Sequence, residues 1–559
     1  MPMSPHQAGD SSGGGIAPSP VSRKALVLAL DGASFSVIEP MIADGRLPNL
    51  ASWMKNGSAG PLRSTIPPVT FPAWSSFMTG LSPGEHGIFD FTQKFPGEYR
   101  IRFVNATDRH GSSIFERVSN AGGRVLVLGM PATYPPESVS GLLVAGFDAP
   151  VSAATDSTSA SDPNLYRRIA DRVGPWMRPE IDESATGGDF HERAVHTLLD
   201  RIMRKKRFAL ESLRTITENA RGHPELVVIV FSESDTVGHH YWRDHDPASP
   251  RHDATADRVR RSAVESVYSK LDEACGEIRR EVGEDALCIV VSDHGMGGAA
   301  RCVVHLNRYL EECGLLARQA GGGIPSRAAR WARDTAIRLL PAGVVQAVFR
   351  RARGPAARIE SSVRFGGFEW AKTLAFSEEA NTQPGVWINL AGREARGCVT
   401  ASAYEATRDR VIAALLDWKL PDGGSIVRRA VRREDVYTGV FTERAPDIVV
   451  ELGLDRGYGL SLVPTPWDER GGSVHVLEED ELAGGRGRGM NGIHQPEGIF
   501  VTPEADEIPR ALSDVAPWLL ERMGVGWESA STHETPRRDY TPEEDARIAE
   551  RLRALGYLE

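Results

Sequence analysis

The stretch KALVLALDG, residues 24–32, is an apolar run that ends abruptly in an aspartate and a glycine. Three similar runs follow it along the chain: RVLVLGM (124–130), LVVIVFS (226–232) and ALCIVVS (286–292). Strands that are apolar along their whole length are typical of parallel sheets that are buried on both faces. Two further strands are predicted at GVWINL (385–390) and DIVVEL (447–452).

Longer amphipathic segments separate these runs, and the most regular is AVESVYSKLDEACGEIRREV (263–282), directly before the fourth run. Strands that alternate with helices predict an α/β fold, with a mainly parallel central sheet and helices on both faces. The chain has 559 residues, too many for one small core. We therefore expect one large α/β domain that carries insertions.

The composition is that of an ordinary globular protein, with 41% hydrophobic and 25% charged residues. A net charge of −10 argues against binding to a nucleic-acid polymer as the main function. The five cysteines are odd in number and have no CxxC spacing, so they indicate neither a disulfide framework nor a thiolate zinc site. No run of 18 apolar residues predicts a membrane span, and a cytoplasmic location is the default expectation.

The ends of the chain differ from its middle. Residues 1–23 are rich in Gly, Ser and Pro and are predicted to be a disordered leader. Residues 24–313 and 366–535 are assigned to the α/β domain, and residues 536–559 to a docked C-terminal helix. In that helix Thr541 and Glu544 form a predicted capping box around Pro542. Its apolar side chains are expected to share one face: Ile548, Leu552 and Leu555.

Residues 314–365 interrupt the alternation with a basic amphipathic segment that Pro341 splits. A solvated helical insertion is one interpretation of this pattern. A lid over the active site is another, and so is a surface, residues 326–353, that contacts anionic lipid. The sequence leaves these interpretations open.

Acidic residues and histidines cluster where the predicted strands end. Asp31 follows the first run directly, and Asp293 and His294 follow the fourth. Asp235 and His239 come after the third run, four residues apart, and His494 precedes another short apolar run. An open α/β sheet places its active site at the carboxyl ends of its strands, so we expect these residues to lie together.

Carboxylate and imidazole groups are the ligands that suit zinc or manganese. Each aspartate, taken alone, is equally typical of a turn or a helix cap. Six such residues from separate segments are enough to hold two ions, and two metal ions about 4 Å apart support in-line displacement at phosphorus. The set therefore indicates phosphoryl-transfer chemistry.

A hydroxyl group that could act as a nucleophile lies in VTFPAWSSFMTG, residues 69–80. Prolines before this segment favour an extended chain, so Thr70 is expected at a loop-to-helix junction, where its side chain can cap the helix. A helix N-terminus offers N–H groups and positive partial charge to a phosphoryl group. Metal coordination would also lower the pKa of the Thr70 hydroxyl, so capping and catalysis are compatible.

The ordered motifs of the chain resemble the alkaline phosphatase superfamily, and most closely its type I phosphodiesterase/nucleotide pyrophosphatase branch. The resemblance extends from about Lys24 to Ile499. It rests on these motifs: LDG (30–32), TFPAWSSFMTGLSPGEHGI (70–88), SDTVGH (234–239), SDHGM (292–296) and GIH (492–494).

The resemblance implies a role for each candidate residue. One metal ion would be held by Asp31, Thr70, Asp293 and His294. The other would be held by Asp235, His239 and His494. Both ions are expected to be Zn²⁺, with Mn²⁺ as the alternative. Thr70 would attack phosphorus to give a phosphothreonine intermediate, which water then hydrolyses.

The sequence also departs from the family pattern. Nucleotide pyrophosphatases of this branch carry an asparagine at the end of the stretch that begins at the nucleophile, where HGIFDF here has Asp90 and Phe91. These two residues, with His305, are the candidate substrate contacts, and nucleotide specificity is not implied. Sulfatases need a Cys or Ser in a C/S-x-P-x-R motif, which TFPAW lacks, so sulfatase activity is not expected.

The leading hypothesis is a two-metal phosphohydrolase, expected to be a phosphodiesterase, acting on a small-molecule phosphate ester. A phosphotransferase or phosphomonoesterase of the same superfamily is the alternative among enzymes. A non-catalytic metal-binding scaffold, which uses the basic insertion to hold a membrane or a partner, is the alternative outside enzymes. The sequence does not predict an oligomeric state.

Overall fold

The computed structural model describes most of the chain in ten stretches. They are residues 21–150, 157–176, 190–220, 223–319, 364–365, 367–379, 384–467, 471–482, 488–527 and 538–554. The strands in these stretches are β1 (Ala25–Leu30), β2 (Ser58–Arg63), β3 (Thr92–Lys94), β4 (Ile101–Phe103), β5 (Val125–Met130), β6 (Gly141–Ala145), β7 (Leu226–Phe231), β8 (Leu287–Val291), β9 (Gly295–Val304), β10 (Ala375–Phe376), β11 (Gly385–Ile388), β12 (Val427–Arg432), β13 (Ile448–Leu452), β14 (Leu454–Asp455), β15 (Tyr458–Leu462), β16 (Val474–Val476), β17 (Gly492–Gln495) and β18 (Glu497–Thr502). The α-helices are α1 (Phe35–Ala43), α2 (Pro48–Asn56), α3 (Thr70–Thr79), α4 (Pro83–His86), α5 (Ile114–Asn120), α6 (Pro163–Val173), α7 (Phe190–Ala220), α8 (Glu233–His245), α9 (Arg258–Arg261), α10 (Ala263–Val282), α11 (Leu306–Glu312), α12 (Tyr404–Leu416), α13 (Val515–Met523) and α14 (Pro542–Ala554).

A seven-stranded sheet in the order β2-β18-β8-β1-β7-β5-β6 forms the centre of the fold. Strand β1 lies at its middle and pairs in parallel with β7 on one side and β8 on the other. Strand β18 is antiparallel to both of its neighbours, β2 and β8. The four apolar runs of the sequence are β1, β5, β7 and β8, so the prediction of an α/β fold with a mainly parallel central sheet is confirmed.

Helices cover both faces of this sheet, because side chains along each strand point alternately to opposite sides. In β1, the side chains of Leu26, Leu28 and Leu30 enter one apolar cluster, together with side chains of α1, α2, α7, α8 and α10. Ala25 and Val27 enter the other cluster, with side chains of α3, α5, α13 and α14. The β1 strand is therefore buried on both faces, as its uninterrupted apolar sequence predicts.

The fifth and sixth predicted strands lie outside the central sheet. They are β11 and β13, which belong to a separate antiparallel sheet in the order β10-β11-β13-β12. An apolar run indicates that a strand is buried but not which strand it pairs with. The sequence therefore could not show that β11 and β13 belong to a different sheet from the other four runs. Strand β9 belongs to a third sheet, β14-β15-β9-β16, and also pairs with β17.

Two of the expected boundaries differ from the structure. Ser22, assigned to the leader, donates hydrogen bonds to the carbonyl of Met523, and Arg23 pairs with Glu504. Leu315 and Leu316, assigned to the insertion, are buried in the core beside the antiparallel sheet, so these residues belong to the body of the protein. Residues 1–20 of the leader and residues 320–363 of the insertion, including the proposed lipid contact at 326–353, lie outside the described residues.

The C-terminal helix α14 begins with a capping box. The backbone N–H of Glu544 donates to the Thr541 hydroxyl over 3.3 Å, and the Thr541 N–H donates to the Glu544 carboxylate over 2.9 Å. Ile548 and Leu552 are buried in the cluster that covers one face of the central sheet, and Leu555 lies outside the described residues. The helix thus adds apolar cover to the face that α3 also covers.

Among the described residues, no helix combines the length and the apolar character that crossing a bilayer requires. The cytoplasmic location stays a prediction.

The packing of α14 predicts that Leu552→Ala destabilises the protein by about 2–4 kcal/mol, because it removes a buried side chain and leaves a cavity. Leu552 is 2% exposed, whereas Leu416 at the end of α12 is 44% exposed. Leu416→Ala is therefore the control and should change the free energy of unfolding by less than about 1 kcal/mol. Urea denaturation measures both values, and equal losses in the two variants would contradict the docking of α14.

Candidate active site

Two neighbouring strands of the central sheet deliver the first group of candidate ligands. Asp31 follows β1 directly, and Asp293 and His294 connect β8 to β9. The Nε2 atom of His294 lies 3.6 Å from an Asp31 oxygen and 3.2 Å from an Asp293 oxygen. The Gly32 N–H donates to the other Asp293 oxygen over 3.1 Å, and the Trp74 indole N–H donates to the other Asp31 oxygen over 3.3 Å. These contacts fix both carboxylates.

The second group of ligands comes from α8 and β17. Asp235 and His239 lie on helix α8, and not at a strand end as the sequence predicted. Residues four apart lie on the same face of a helix, and the His239 Nε2 atom is 3.3 Å from an oxygen of Asp235. His494, on β17, places its Nε2 atom 3.3 Å from the same oxygen and 2.9 Å from the His239 Nε2 atom.

Strand β9 joins the two groups. It begins at Gly295, directly after His294, and pairs with β17 so that His494 lies opposite Met296. The rings of His294 and His494 are stacked with centroids 3.6 Å apart. Ligand atoms within 4.8 Å of one another form two clusters, Asp31–Asp293–His294 and Asp235–His294–His494. The fold therefore brings all six candidate ligands together, with His239 beside His494.

The orientation of the imidazoles fits a metal site. Each Nδ1 atom faces a backbone carbonyl: that of Gly492 for His239 at 2.7 Å, of Gly295 for His294 at 3.1 Å and of Pro68 for His494 at 2.8 Å. Each ring therefore carries a proton on Nδ1 that it donates to that carbonyl, and its Nε2 atom faces the carboxylates. Backbone acceptors hold metal-binding histidines in this way.

The carboxylates fit a cation as well. One oxygen of Asp31 and one of Asp293 are buried and make no hydrogen bond to the described residues. Burial, and then the charge of Asp235, raises the pKa of Asp31 to about 8. Burial and the charge of Asp31 also raise the pKa of Asp293. Negative charge at these two groups therefore needs a compensating cation, which divalent metal ions supply.

The pKa values of Asp235 and His294 are also shifted by burial and by neighbouring groups. Burial would raise the pKa of Asp235, but the charges and hydrogen bonds of His239 and His494 outweigh it and hold that pKa well below its ordinary value. Burial and the neighbouring His494 lower the pKa of His294. A neutral His294 imidazole is the form that coordinates a metal ion.

Thr70 is the first residue of α3, and the cap position belongs to Val69. The expectation that Thr70 caps the helix is therefore wrong, because the helix starts one residue earlier than a cap at Thr70 requires. The Thr70 side chain is fully buried, and its hydroxyl oxygen lies 3.5 Å from the His294 Nε2 atom. The helix thus directs its N-terminus and this hydroxyl toward the ligand cluster.

The three candidate substrate contacts have different surroundings. Asp90 lines a small cavity together with Lys94, Glu378 and Trp387. The ring of Phe91 packs in the core with its centroid 4.6 Å from that of Phe71, the residue after Thr70.

His305 follows the far end of β9. Ten residues of strand, about 30 Å of extended chain, separate it from His294. Its Nδ1 atom faces the carbonyl of Val463 at 3.2 Å. The structure does not bring His305 into the ligand cluster.

Sequence reasoning missed residues that support the ligands. Trp74 holds Asp31, and its position four residues after Thr70 was an available signal, because that spacing places both on one helix face. Lys205 of α7 forms a buried ion pair with Glu233 at the start of α8, over 2.8 Å. This pair anchors the helix that carries Asp235, and nothing in the sequence links its two members.

His86 shapes the turn after α4. Its Nδ1 atom accepts a hydrogen bond from the Ile88 N–H over 3.1 Å, so its Nε2 carries the proton and donates to the Ser76 hydroxyl over 3.0 Å. The side chain is fully buried, and burial together with the charge of Arg109 lowers its pKa to about 3. A neutral His86 therefore links α3 to the loop that follows it.

Comparison with known proteins identifies one matching family. The family model described as type I phosphodiesterase / nucleotide pyrophosphatase matches residues 25–459. Phosphonoacetate hydrolase from Sinorhizobium meliloti 1021, solved with phosphonoformate, is 15% identical over 91% of this chain and 96% of that chain, with a TM-score of 0.47. Human ectonucleotide pyrophosphatase / phosphodiesterase 5 is 13% identical over 91% and 97%, with a TM-score of 0.44. Curated protein sequences give no significant match.

The neutral His86 predicts a pH dependence of stability. The folded side chain takes a proton only near pH 3, whereas the unfolded side chain takes it near its ordinary pKa of 6.5. The unfolded state therefore binds more protons between these values, so stability falls as the pH drops below 6.5, by up to about 1.4 kcal/mol per pH unit from this group. Urea unfolding from pH 7 to pH 4 should show this extra loss in wild type relative to His86→Gln, and parallel curves would contradict it.

Proposed function

The chain belongs to the type I phosphodiesterase / nucleotide pyrophosphatase family of phosphoric ester hydrolases, and from that premise we propose that it is a two-metal phosphodiesterase that forms a phosphothreonine intermediate at Thr70. One observation carries the proposal: the buried Thr70 hydroxyl lies 3.5 Å from His294, beside two clusters of metal-type ligands. Its substrate is a small-molecule phosphodiester.

The proposal gives each cation its own set of donors. Asp31, Thr70, Asp293 and His294 would hold one ion, and Asp235, His239 and His494 would hold the other. Zn²⁺ is the proposed ion, with Mn²⁺ as the alternative, because the donors are carboxylate and imidazole groups without thiolates. Such ions supply Lewis acidity, which lowers the pKa of a hydroxyl group and offsets negative charge on phosphoryl oxygens.

The protein contributes the orientation of the reacting groups. Helix α3 starts at Thr70, so its N-terminal N–H groups and positive partial charge face the phosphoryl group that the hydroxyl attacks. The Trp74 indole, one turn along the same helix, holds Asp31. The backbone carbonyls that accept from the three histidines keep their Nε2 atoms directed at the same space.

The reaction proceeds in two displacements at phosphorus. In the first, the Thr70 oxygen forms a bond to phosphorus while the ester bond on the opposite side breaks, and the alcohol leaves with the proton that Thr70 gave up. In the second, water attacks the phosphothreonine, which releases the phosphomonoester and returns the proton to Thr70. Each step exchanges one P–O bond for another, so the overall reaction is hydrolysis of one ester bond.

Thr70→Ala tests the nucleophile. It should lower turnover of an aryl phosphodiester by at least about 10³-fold, because the variant lacks the hydroxyl group that attacks phosphorus. Purified protein with added Zn²⁺ or Mn²⁺ provides the assay, and acid-quenched wild type should carry the substrate's phosphoryl group on the peptide that contains Thr70.

The control is Thr79→Ala, at the other end of α3. Thr79 is also buried, and its hydroxyl donates to the carbonyl of Ser75 over 2.7 Å. We expect this variant to lose about 1 kcal/mol of stability and to keep its turnover. Wild-type turnover in Thr70→Ala would refute the phosphothreonine mechanism.

A further inference from the structure

His239 and His494 belong to different elements, yet their Nε2 atoms are 2.9 Å apart. Helix α8 must therefore lie very close to strand β17 where the two histidines meet. A glycine is present on each side of this crossing: Gly238, directly before His239, and Gly492, two residues before His494.

Gly492 leaves no room for a side chain. A Cβ atom at this position would lie 2.4 Å from the carbonyl oxygen of Gly238 and 2.8 Å from its carbonyl carbon, and real Cβ contacts are not this short. The φ angle of Gly492 is outside the left-handed region, so its backbone conformation does not itself demand glycine. The close approach of α8 does.

Gly238, on helix α8, likewise leaves no room for a side chain. Glycine inside a helix costs about 0.5–1 kcal/mol relative to alanine, so helix stability does not explain its presence. A Cβ atom at Gly238 would lie 2.7 Å from Cγ of Met296, the β9 residue that pairs with His494. The helix therefore rests on β17 and β9 through its one glycine.

Asn491 ties the two elements together. Its backbone N–H donates to the carbonyl of His239 over 3.0 Å, and its side-chain amide donates to the carbonyl of His240 over 3.1 Å. Its own carbonyl accepts from the N–H of Ala299 on β9 over 3.0 Å. The next residue, Gly492, accepts the Nδ1 proton of His239 over 2.7 Å.

A buried arginine also binds the segment that contains Asn491. The fully buried Arg251 donates from Nε to the carbonyl of Ala300 over 2.7 Å and from Nη1 to the carbonyl of Met490 over 3.1 Å. It thus joins β9 to the residue that precedes Asn491. The segment Met490 to Gly492 is therefore bound to α8 through Asn491 and Gly492, and to β9 both through Asn491 and by way of Arg251.

We propose that the Gly238–Gly492 contact, tied by Asn491, is the positioning device that sets His239 against His494 and so decides whether the second cation binds. This inference rests on the proposed two-metal function. The first cation does not depend on the contact. Its proposed ligands, Asp31, Thr70, Asp293 and His294, are carried by β1, α3 and the β8–β9 connection, which contain no part of the crossing.

Gly492→Ala tests the contact, with Gly471→Ala as its matched control. A Cβ at Gly471 meets nothing within 4 Å, and its φ is likewise outside the left-handed region. Full-length protein is stripped with a chelator and titrated with Zn²⁺, with calorimetry and elemental analysis giving affinity and stoichiometry. Wild type and Gly471→Ala should bind two ions. Gly492→Ala should bind one ion normally and the second at least about 10-fold more weakly, because α8 moves away from β17.

Two ions bound at wild-type affinity in Gly492→Ala would overturn the inference and leave the proposed function intact. A wild-type protein that binds fewer than two ions would overturn the two-metal function itself, and this inference with it. The two failures are therefore distinguishable.

Asn491→Ala is a milder second variant, which guards against loss of folding in Gly492→Ala. It removes the hydrogen bond to His240 and keeps the backbone hydrogen bond to His239. Its control is Asn389→Ala, which removes a buried amide that donates to the carbonyls of Trp370 and Thr373, outside the ligand cluster.

Both asparagine variants should lower stability, but Asn491→Ala alone should weaken the second ion, by about 3- to 10-fold. Equal zinc affinities in the two variants would show that Asn491 is only structural and would overturn its part in the proposal.

Discussion

The burial of carboxylates at the ends of neighbouring strands is the constraint on which the site depends. Main-chain pairing of β1 with β8 brings Asp31 and Asp293 to the same edge of the sheet, away from water. Burial raises the pKa of both carboxyl groups there, aided by the charge of Asp235 at Asp31 and by the charge of Asp31 at Asp293. The three imidazole rings are oriented around these carboxylates. Backbone carbonyls accept their Nδ1 protons, so their Nε2 atoms are directed at the carboxylates. The carboxylates at this edge of the sheet therefore fit a bound cation, which would offset their negative charge.

Strand β9 extends this arrangement beyond the central sheet. It starts at the residue after His294, recruits β17 by antiparallel pairing, and so places His494 on His294. Helix α8 contacts β17 through Gly238, and this contact places His239 beside His494. Candidate ligands from segments more than 200 residues apart in sequence are thus brought together by one strand and one helix crossing. His239 and His494, for example, are 255 positions apart.

The sequence predicted the central strands well, because a strand buried on both faces must be apolar throughout. It could not assign β11 and β13 to their own sheet, since burial does not identify a partner. It identified Asp235 and His239 but placed them at a strand end, because a spacing of four residues after an apolar run fits a loop or a helix. It missed the hydrogen bond from Trp74 to Asp31. It also missed the backbone carbonyls that accept from the histidines, because a pattern of side chains does not show which carbonyl faces which ring.

Strand β18 ends at residue 502 of 559, yet it lies inside the sheet between β2 and β8. During synthesis, the chain holds five of the six candidate ligands long before this strand emerges from the ribosome. Over that interval β8 presents an unpaired edge, and such edges promote association with other chains. Between the completion of β8 at Val291 and the addition of Thr502, the protein is therefore an open sheet that carries an incomplete cluster of candidate ligands, and chaperones have their main opportunity to act in this interval.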